Sequence, residues 1–436
     1  MKCDGCAIES TREEFFKTAR RSFRRKLLRF CPVCHIRHEE GVHRAAFWLG
    51  VGMPIFAIVM TSISPGTMIG PLMWNVALFQ IVLVFSTLAH EVGHALAARL
   101  AGFYVSHIEV GLGRKFLEFR LWGFRWLFRA VPVGGMAHAA PRDARWWRLR
   151  MTLFILGGPA ANVLLIIGAW IFATFRDAPP SGMLHDIAPV TVVVLANAPL
   201  LIYSLWPHEA RSSRGNLAND GLLIWRTWHL KRDDIAGSLV AVVLYEVQEL
   251  RHQGKLDAAD ACLDRGLQRF PSHPTLETLR GILLFDRGLA EDSRRIWIRL
   301  LGRYSGDEQV RFAMFNNIAY ADILIGDPDL LWEADAGSRL ALERQPWMAA
   351  FKGTRGMVLV ELGDLDAGLK LLHEAFHEQD DKKNQALDAC YIGIAHSRGG
   401  DAEQCRSFFA LARRLDPGCC VLAREPRLSA SAVKLV

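Results

Sequence analysis

The sequence predicts a mainly α-helical protein in three parts: a small N-terminal zinc ribbon, a polytopic α-helical membrane domain of about four spans with a hairpin at the membrane face, and a C-terminal α-solenoid. Three observations predict this. Two C-x-x-C pairs open the chain, the long uncharged runs crowd into residues 45–207, and turn glycines recur at a near-constant interval behind them. The expected boundaries are 1–44, 45–229 and 230–436. With 436 residues, 51% hydrophobic and 22% charged, the chain is neither a disordered polymer nor a small disulfide scaffold, and it has room for several cores.

The ribbon rests on Cys3-x-x-Cys6 and Cys31-x-x-Cys34, two knuckles whose four thiolates suit a closed, structural zinc. His35 and His38 are alternative ligands in place of one cysteine. A redox C-x-x-C would need a thioredoxin-like strand and helix, which this segment lacks. Cys262, Cys390, Cys405, Cys419 and Cys420 follow no pairing rhythm and read as small buried hydrophobes in a reducing compartment. Because the first forty residues are charged rather than apolar, no cleavable signal peptide is expected.

Four uncharged stretches approach the roughly 20 residues a bilayer requires: 45–63, 64–89, 151–175 and 187–207. Lys and Arg mark the cytosolic side. Eight of them lie in residues 12–29, read as a basic helix, and nine in 101–150, whereas the connection between the first two spans has none and that between the last two has only Arg176. Both termini and the central loop are therefore expected in the cytosol, with the protein in the cell (inner) membrane. Membrane topology and attraction to anionic lipid account for these cations and for the net charge of +7, so nucleic acid is not an expected partner.

The second apolar run ends in His90-Glu91-Val92-Gly93-His94. Histidines four apart share one helix face and can grip one metal ion, with Glu91 beside them as a base. Ionisable residues at membrane depth are costly and normally functional.

These residues, with Val131-Pro132-Val133-Gly134-Gly135-Met136, Gly157-Gly158-Pro159-Ala160-Ala161-Asn162 and Asn219-Asp220-Gly221, resemble the site-2 protease family of intramembrane zinc metalloproteases over about residues 75–225. The resemblance implies Asp220 as third zinc ligand beside His90 and His94, and it implies that Asn162 faces the reacting centre. Such a set leaves one position open for water, which Glu91 would deprotonate, while Asn162 would hydrogen-bond the substrate backbone or the oxyanion. The chain departs from the family pattern between Pro207 and Asp220, thirteen positions apart, where a polar segment must loop back. Otherwise Asp220 would cap the following helix, and His208 or Glu209 would be the alternative ligand.

Residues 104–137 interleave aromatics with Arg120, Arg125 and Arg129 around Trp122-Gly123, as a hairpin lying on a membrane face would. Its edge could pair with an unwound substrate strand.

In the last part Gly254, Gly288, Gly326, Gly363 and Gly400 follow one another at 34, 38, 37 and 37 residues, with helical periodicity between them. Gly254, Ala259, Gly266 and Pro271 repeat as Gly400, Cys405, Ala412 and Pro417 at the same intervals. This resembles degenerate tetratricopeptide repeats, which implies a groove for a peptide or protein partner. The expected protein is thus an intramembrane zinc endopeptidase with one catalytic and one structural zinc, cutting membrane-anchored proteins near the cytosolic face. The alternative is an inactive membrane-bound scaffold working through ribbon and repeats.

Overall fold

The computed structural model describes residues 17–20, 27–30, 52, 55–63, 69–175, 187–212, 215–230, 235–304 and 306–426. Cys3, Cys6, Cys31, Cys34, His35, His38 and parts of the first two expected spans lie outside them. Two compact units divide between Tyr245 and Glu246.

In the basic segment, β1 (Lys17–Arg20) and β2 (Leu27–Phe30) pair antiparallel, Lys17 opposite Phe30 and Arg20 opposite Leu27. Over these residues the chain is extended rather than the helix expected. On a helix Lys17, Arg21, Arg25 and Arg29 would form one row of like charges at i, i+4, each contact costing about 0.2–0.5 kcal/mol.

Helical residues 55–63 (α1) precede α2 (Ile69–Leu100), and α3 (Trp147–Phe175) and α4 (Pro189–Leu205) follow the hairpin. Two of these, α2 and α3, are long and apolar enough to cross a membrane, and α4 is apolar but only 17 residues long. Phe85, Leu164, Trp170 and Ile202 are 63, 68, 63 and 66% exposed, an outward face that lipid accepts and water does not. Polar groups turn inward instead: Asn75 accepts the Ala188 N–H at 2.8 Å, joining α2 to the start of α4. Where α2 meets α3 both sides carry glycine, because a Cβ on Gly93 would run into the Gly157 carbonyl and one on Gly157 into that of Gly93. Backbones this close are possible only without side chains.

Between α2 and α3, β3 (Phe103–Leu121) and β4 (Phe124–Pro141) form the expected hairpin. Its two-residue turn has positive φ at both Trp122 (54°) and Gly123 (71°), the twist that antiparallel strands favour. Arg99, at the end of α2, donates to the carbonyls of Trp122 and Gly123 at 3.1 and 2.9 Å and lies 3.8 Å over the Phe124 ring. Ile108, Val110, Phe124, Trp126 and Ala137 pack with Ala95, Leu88 and Val92 of α2. The hairpin is thereby docked along the helix that carries the histidines.

β5 (Glu209–Ser212) and β6 (Gly215–Ala218) lead into α5 (Asp220–His229), and α6 (Ile235–His252) spans the division between the units. In the second unit helices alternate as antiparallel pairs: α7 (Leu256–Arg269), α8 (Pro274–Asp286), α9 (Ala290–Arg303), α10 (Glu308–Ile325), α11 (Leu331–Arg344), α12 (Ala349–Glu361), α13 (Leu365–Glu378), α14 (Lys382–Arg398) and α15 (Ala402–Leu415). The five repeating glycines sit at the turns within pairs with φ of 73, 81, 74, 89 and 85°, values that side chains resist. Ala259, Cys405 and Ala412 are fully buried at the helix crossings. Arg251 joins Asp286 of α8, its Nε at 2.5 Å, and Asp381 at the head of α14, at 3.2 Å; Lys383 also reaches Asp286 at 3.2 Å. Asp388, 1% exposed, accepts the Gln379 amide on Oδ2 at 2.6 Å, and its Oδ1 has no partner among the described residues. Burial pushes its carboxyl well above the usual range despite that donor.

Candidate metal centre

The helical rise brings His90 and His94 together as their spacing requires. Their rings meet edge to face at 86° with Nε2 atoms 3.1 Å apart. Asp220, first residue of α5, closes the group: its Oδ2 is 3.1 Å from His90 Nε2 and its Oδ1 3.5 Å from His94 Nε2. Donor atoms of all three lie within 4.8 Å of one another. Side-chain exposures of 14, 8 and 15% for His90, His94 and Asp220 leave the cluster reachable by a small molecule.

The long gap before Asp220 is folded out as the β5–β6 hairpin. Glu209 pairs with Ala218, and the Asn219 N–H reaches the His208 carbonyl at 3.2 Å, so the chain returns to where it left. Asn219 then takes the capping role. Its Oδ1 accepts from Leu222 N at 3.0 Å and His208 N at 3.1 Å, and its amide donates to the carbonyls of Tyr203 and Trp206 at 2.8 and 2.7 Å. This frees the Asp220 carboxylate to face the histidines. The alternative ligands are not part of this group: Glu209 pairs with Arg226 at 2.5 Å, and His208, whose Nδ1 lies 2.7 Å from the Trp206 carbonyl, is not among the residues whose donor atoms converge.

Behind the cluster, each ring is held from its far side. His90 Nδ1 lies 2.5 Å from Asn162 Oδ1, and His94 Nδ1 lies 3.0 Å from the Phe154 carbonyl. With Nδ1 donating to these two oxygens, the tautomer they favour although the Gly158 N–H also approaches His94 Nδ1 at 3.3 Å, both Nε2 atoms present lone pairs to each other across 3.1 Å. Lone pairs at that separation repel unless a cation lies between them, so the donor set fits a metal ion and fits a neutral pair poorly. Gly158 completes the cradle: a Cβ there would strike His94 Nε2 and come within 2.6 Å of His90 Nε2. Asn162 is fully buried, its amide donating to Asn197 Oδ1 at 2.8 Å, while Asn197 donates to the Val193 carbonyl at 2.8 Å. Asn162 thus stands against the back of His90.

Neither Asn197 nor the Phe154 carbonyl was recognisable as part of the site from the pattern of motifs. A lone asparagine in the apolar run around Asn197 is the signal that could have found the first; the second is backbone and leaves none. Glu91, 5% exposed, packs under the hairpin, where a Cβ on Gly135 would come within 2.6 Å of Glu91 Cγ and 2.7 Å of the Glu109 carbonyl. Gly134 supplies the positive φ, 74°, of that approach. Along the hairpin Arg129 grips Glu109 through Nε at 2.5 Å and Nη2 at 3.2 Å. Burial opposes the charge on Glu118, but hydrogen bonds from Arg125 and Lys115 outweigh it and bring its carboxyl to about 2.

Residues 78–390, well over half of the chain, match the description of peptidase family M50. The chain belongs to peptidase family M50. That membership bears out the resemblance read from the motifs. Among curated relatives, the chain is 27% identical over 146 residues to a protein of Rhizobium meliloti (strain 1021) named as a zinc metalloprotease, an overlap covering 27% of this chain and 38% of that one. It is 34% identical over 55 residues to a Helicobacter pylori (strain J99) protein of similar name, covering 13% and 16%. The chain therefore spans less than half the length of these curated relatives. Of solved structures, a thermophilic TPR protein from Thermus thermophilus aligns with 45% of this chain and 100% of its own, at 19% identity and a TM-score of 0.34.

Proposed function

We propose that this chain is an intramembrane zinc endopeptidase that cleaves membrane-anchored proteins near the cytosolic face. The observation that carries the reading is the convergence of His90, His94 and Asp220, with each imidazole anchored through Nδ1 so that Nε2 is offered inward. Zinc, when bound, polarises the scissile carbonyl and acidifies the attacking water. Glu91 accepts the proton of that water and delivers it to the departing amide nitrogen. His90, His94 and Asp220 hold the ion, and Asn162 fixes the tautomer and angle of His90. The hairpin packed over Glu91 offers backbone edges to an unwound substrate strand and excludes bulk water from the carboxylate.

The outward apolar faces of α2, α3 and α4 support membrane residence, and the Lys and Arg distribution supports cytosolic termini. For the segment 1–44, Cys3, Cys6, Cys31 and Cys34 are the ligands of a separate, structural zinc. The division into a protease domain ending near 229 and a repeat domain from 230 keeps catalysis and recognition apart, with the repeats recruiting a peptide or protein partner.

Quantitative proteomics tests this reading. Membranes and cytosol from cells carrying the parent chain or Glu91→Gln are compared for new N- and C-termini arising near the cytosolic ends of membrane anchors. Fragments present only with the parent are expected; identical fragment sets, with the variant still loaded with zinc, would leave only the scaffold.

A further inference from the structure

We propose that the hairpin carries a second divalent metal site, built from His107, Glu109 and His138, that clips β3 to β4 beside Glu91. It is separate in sequence and position from the set formed by His90, His94 and Asp220, and it lies outside the membrane helices.

Strand register brings the ligands together. His107 of β3 stands opposite His138 of β4, and Glu109, two residues on, returns to the same face of its strand. The outcome is compact: one donor atom from each of the three lies within 4.8 Å of the others, His138 Nε2 is 3.9 Å from Glu109 Oε2, and the two imidazoles stack at 4.0 Å and 15°. A tetrahedral ion at about 2.1 Å from its ligands needs them roughly 3.4 Å apart. The approach required is thus on the order of 1 Å, with the two stacked rings turning out of parallel so that a lone pair of each points at the ion.

The surroundings are those of a held site. Ser106 Oγ lies 3.0 Å from His107 Nδ1, which leaves Nε2 as the ring nitrogen available to an ion. Arg129, 5% exposed, grips Glu109 through both oxygens, yet each carboxylate oxygen keeps a lone pair for a cation. An arginine behind a ligating carboxylate orients it, as partners of metal ligands do elsewhere. Two imidazoles and one carboxylate are a donor set for zinc or a neighbouring borderline ion rather than for calcium or magnesium.

The location gives the site a consequence. The Glu109 carbonyl and Glu91 both close on Gly135, and Gly135 sits on the strand that carries His138. An ion bridging the strands at His107 and His138 stiffens the ladder that covers Glu91.

Zinc binding by the full chain in detergent tests this, read by elemental analysis after equilibrium dialysis and by thermal shift. The background variant His90→Ala/His94→Ala removes the other membrane-side site. It is expected to keep the zinc bound by the hairpin beside that of Cys3, Cys6, Cys31 and Cys34, and adding His107→Gln/His138→Gln to it should lower the bound metal by one equivalent and reduce the zinc-dependent rise in Tm to the part that the cysteines supply. Glutamines keep polar, planar groups in the stack; should the pair prevent folding, His138→Gln alone is expected to weaken zinc binding at least tenfold. Undiminished stoichiometry and an unchanged zinc-dependent Tm in a folded variant of either kind would overturn the proposal. Loss of metal in His90→Ala/His94→Ala alone speaks to the other site.

Discussion

Asn162→Ala asks whether the buried amide acts through His90 or on the substrate. In the structure its Oδ1 is 2.5 Å from His90 Nδ1 and its amide is spent on Asn197, so the substitution leaves the imidazole free to change tautomer and angle. Loss of such a partner lowers metal affinity about 10–100-fold, equivalent to roughly 1.4–2.7 kcal/mol. The orphaned Asn197 oxygen adds a stability cost of about 1–3 kcal/mol. Competition against a fluorescent chelator reads the affinity, and cleavage of a membrane-anchored substrate found in the proteomic comparison reads turnover at limiting and saturating zinc. If Asn162 only holds His90, saturating zinc restores most of kcat. Were it instead a donor to the oxyanion, kcat would stay down about 10²–10³-fold at any zinc level. Unchanged zinc affinity in a folded Asn162→Ala would refute the argument.

Other outcomes follow from the same geometry. Glu91→Gln retains zinc, because the ligands are untouched, and lowers turnover by at least about 10²–10⁴-fold, checked by metal analysis beside the cleavage assay. Gly157→Ala forces a methyl into the Gly93 carbonyl and costs at least about 1–3 kcal/mol; a thermal midpoint equal to the parent's would contradict the close crossing of α2 and α3. Gly158→Ala intrudes on both Nε2 atoms and is expected to release zinc while leaving far-UV circular dichroism unchanged. Asp388 has its folded pKa raised by burial, so the folded state prefers the protonated form. Its contribution is best at low pH and declines as pH rises through that elevated value. Asp388→Asn is therefore expected to stabilise the repeat unit at pH 8 more than at pH 5, and scanning fluorimetry at the two pH values would show no difference if the carboxyl ionised without cost.

The histidines and Glu91 were legible because a four-residue spacing has only one reading on a helix. The turn glycines were legible for a similar reason, since a recurring need for positive φ leaves a recurring residue type. Asp220 needed the family resemblance. The twelve residues before it looked like a polar loop, and only the pairing of Glu209 with Ala218 and the cap made by Asn219 show why the extra length does no harm to the site. Asn162 was recognisable as a site residue but its partner was not, because contacts between helices far apart in sequence leave no local pattern. The segment 17–30 misled for a different reason: counting cations locates a membrane flank well, yet the same cations weaken a helix when they line up along one face.

Linear repeat arrays owe their stability to each unit and its immediate neighbours, and they can lose an end and keep the rest. Arg251 makes this array different, because it ties the opening helix to Asp286 and, 130 residues further on, to Asp381. A removal of the final helical pair would strip one carboxylate from a largely desolvated guanidinium far upstream, so damage at the far end is felt at the beginning. The repeats should accordingly melt as one block, and progressive shortening from the C-terminus should end in abrupt collapse instead of a graded series of smaller folded arrays.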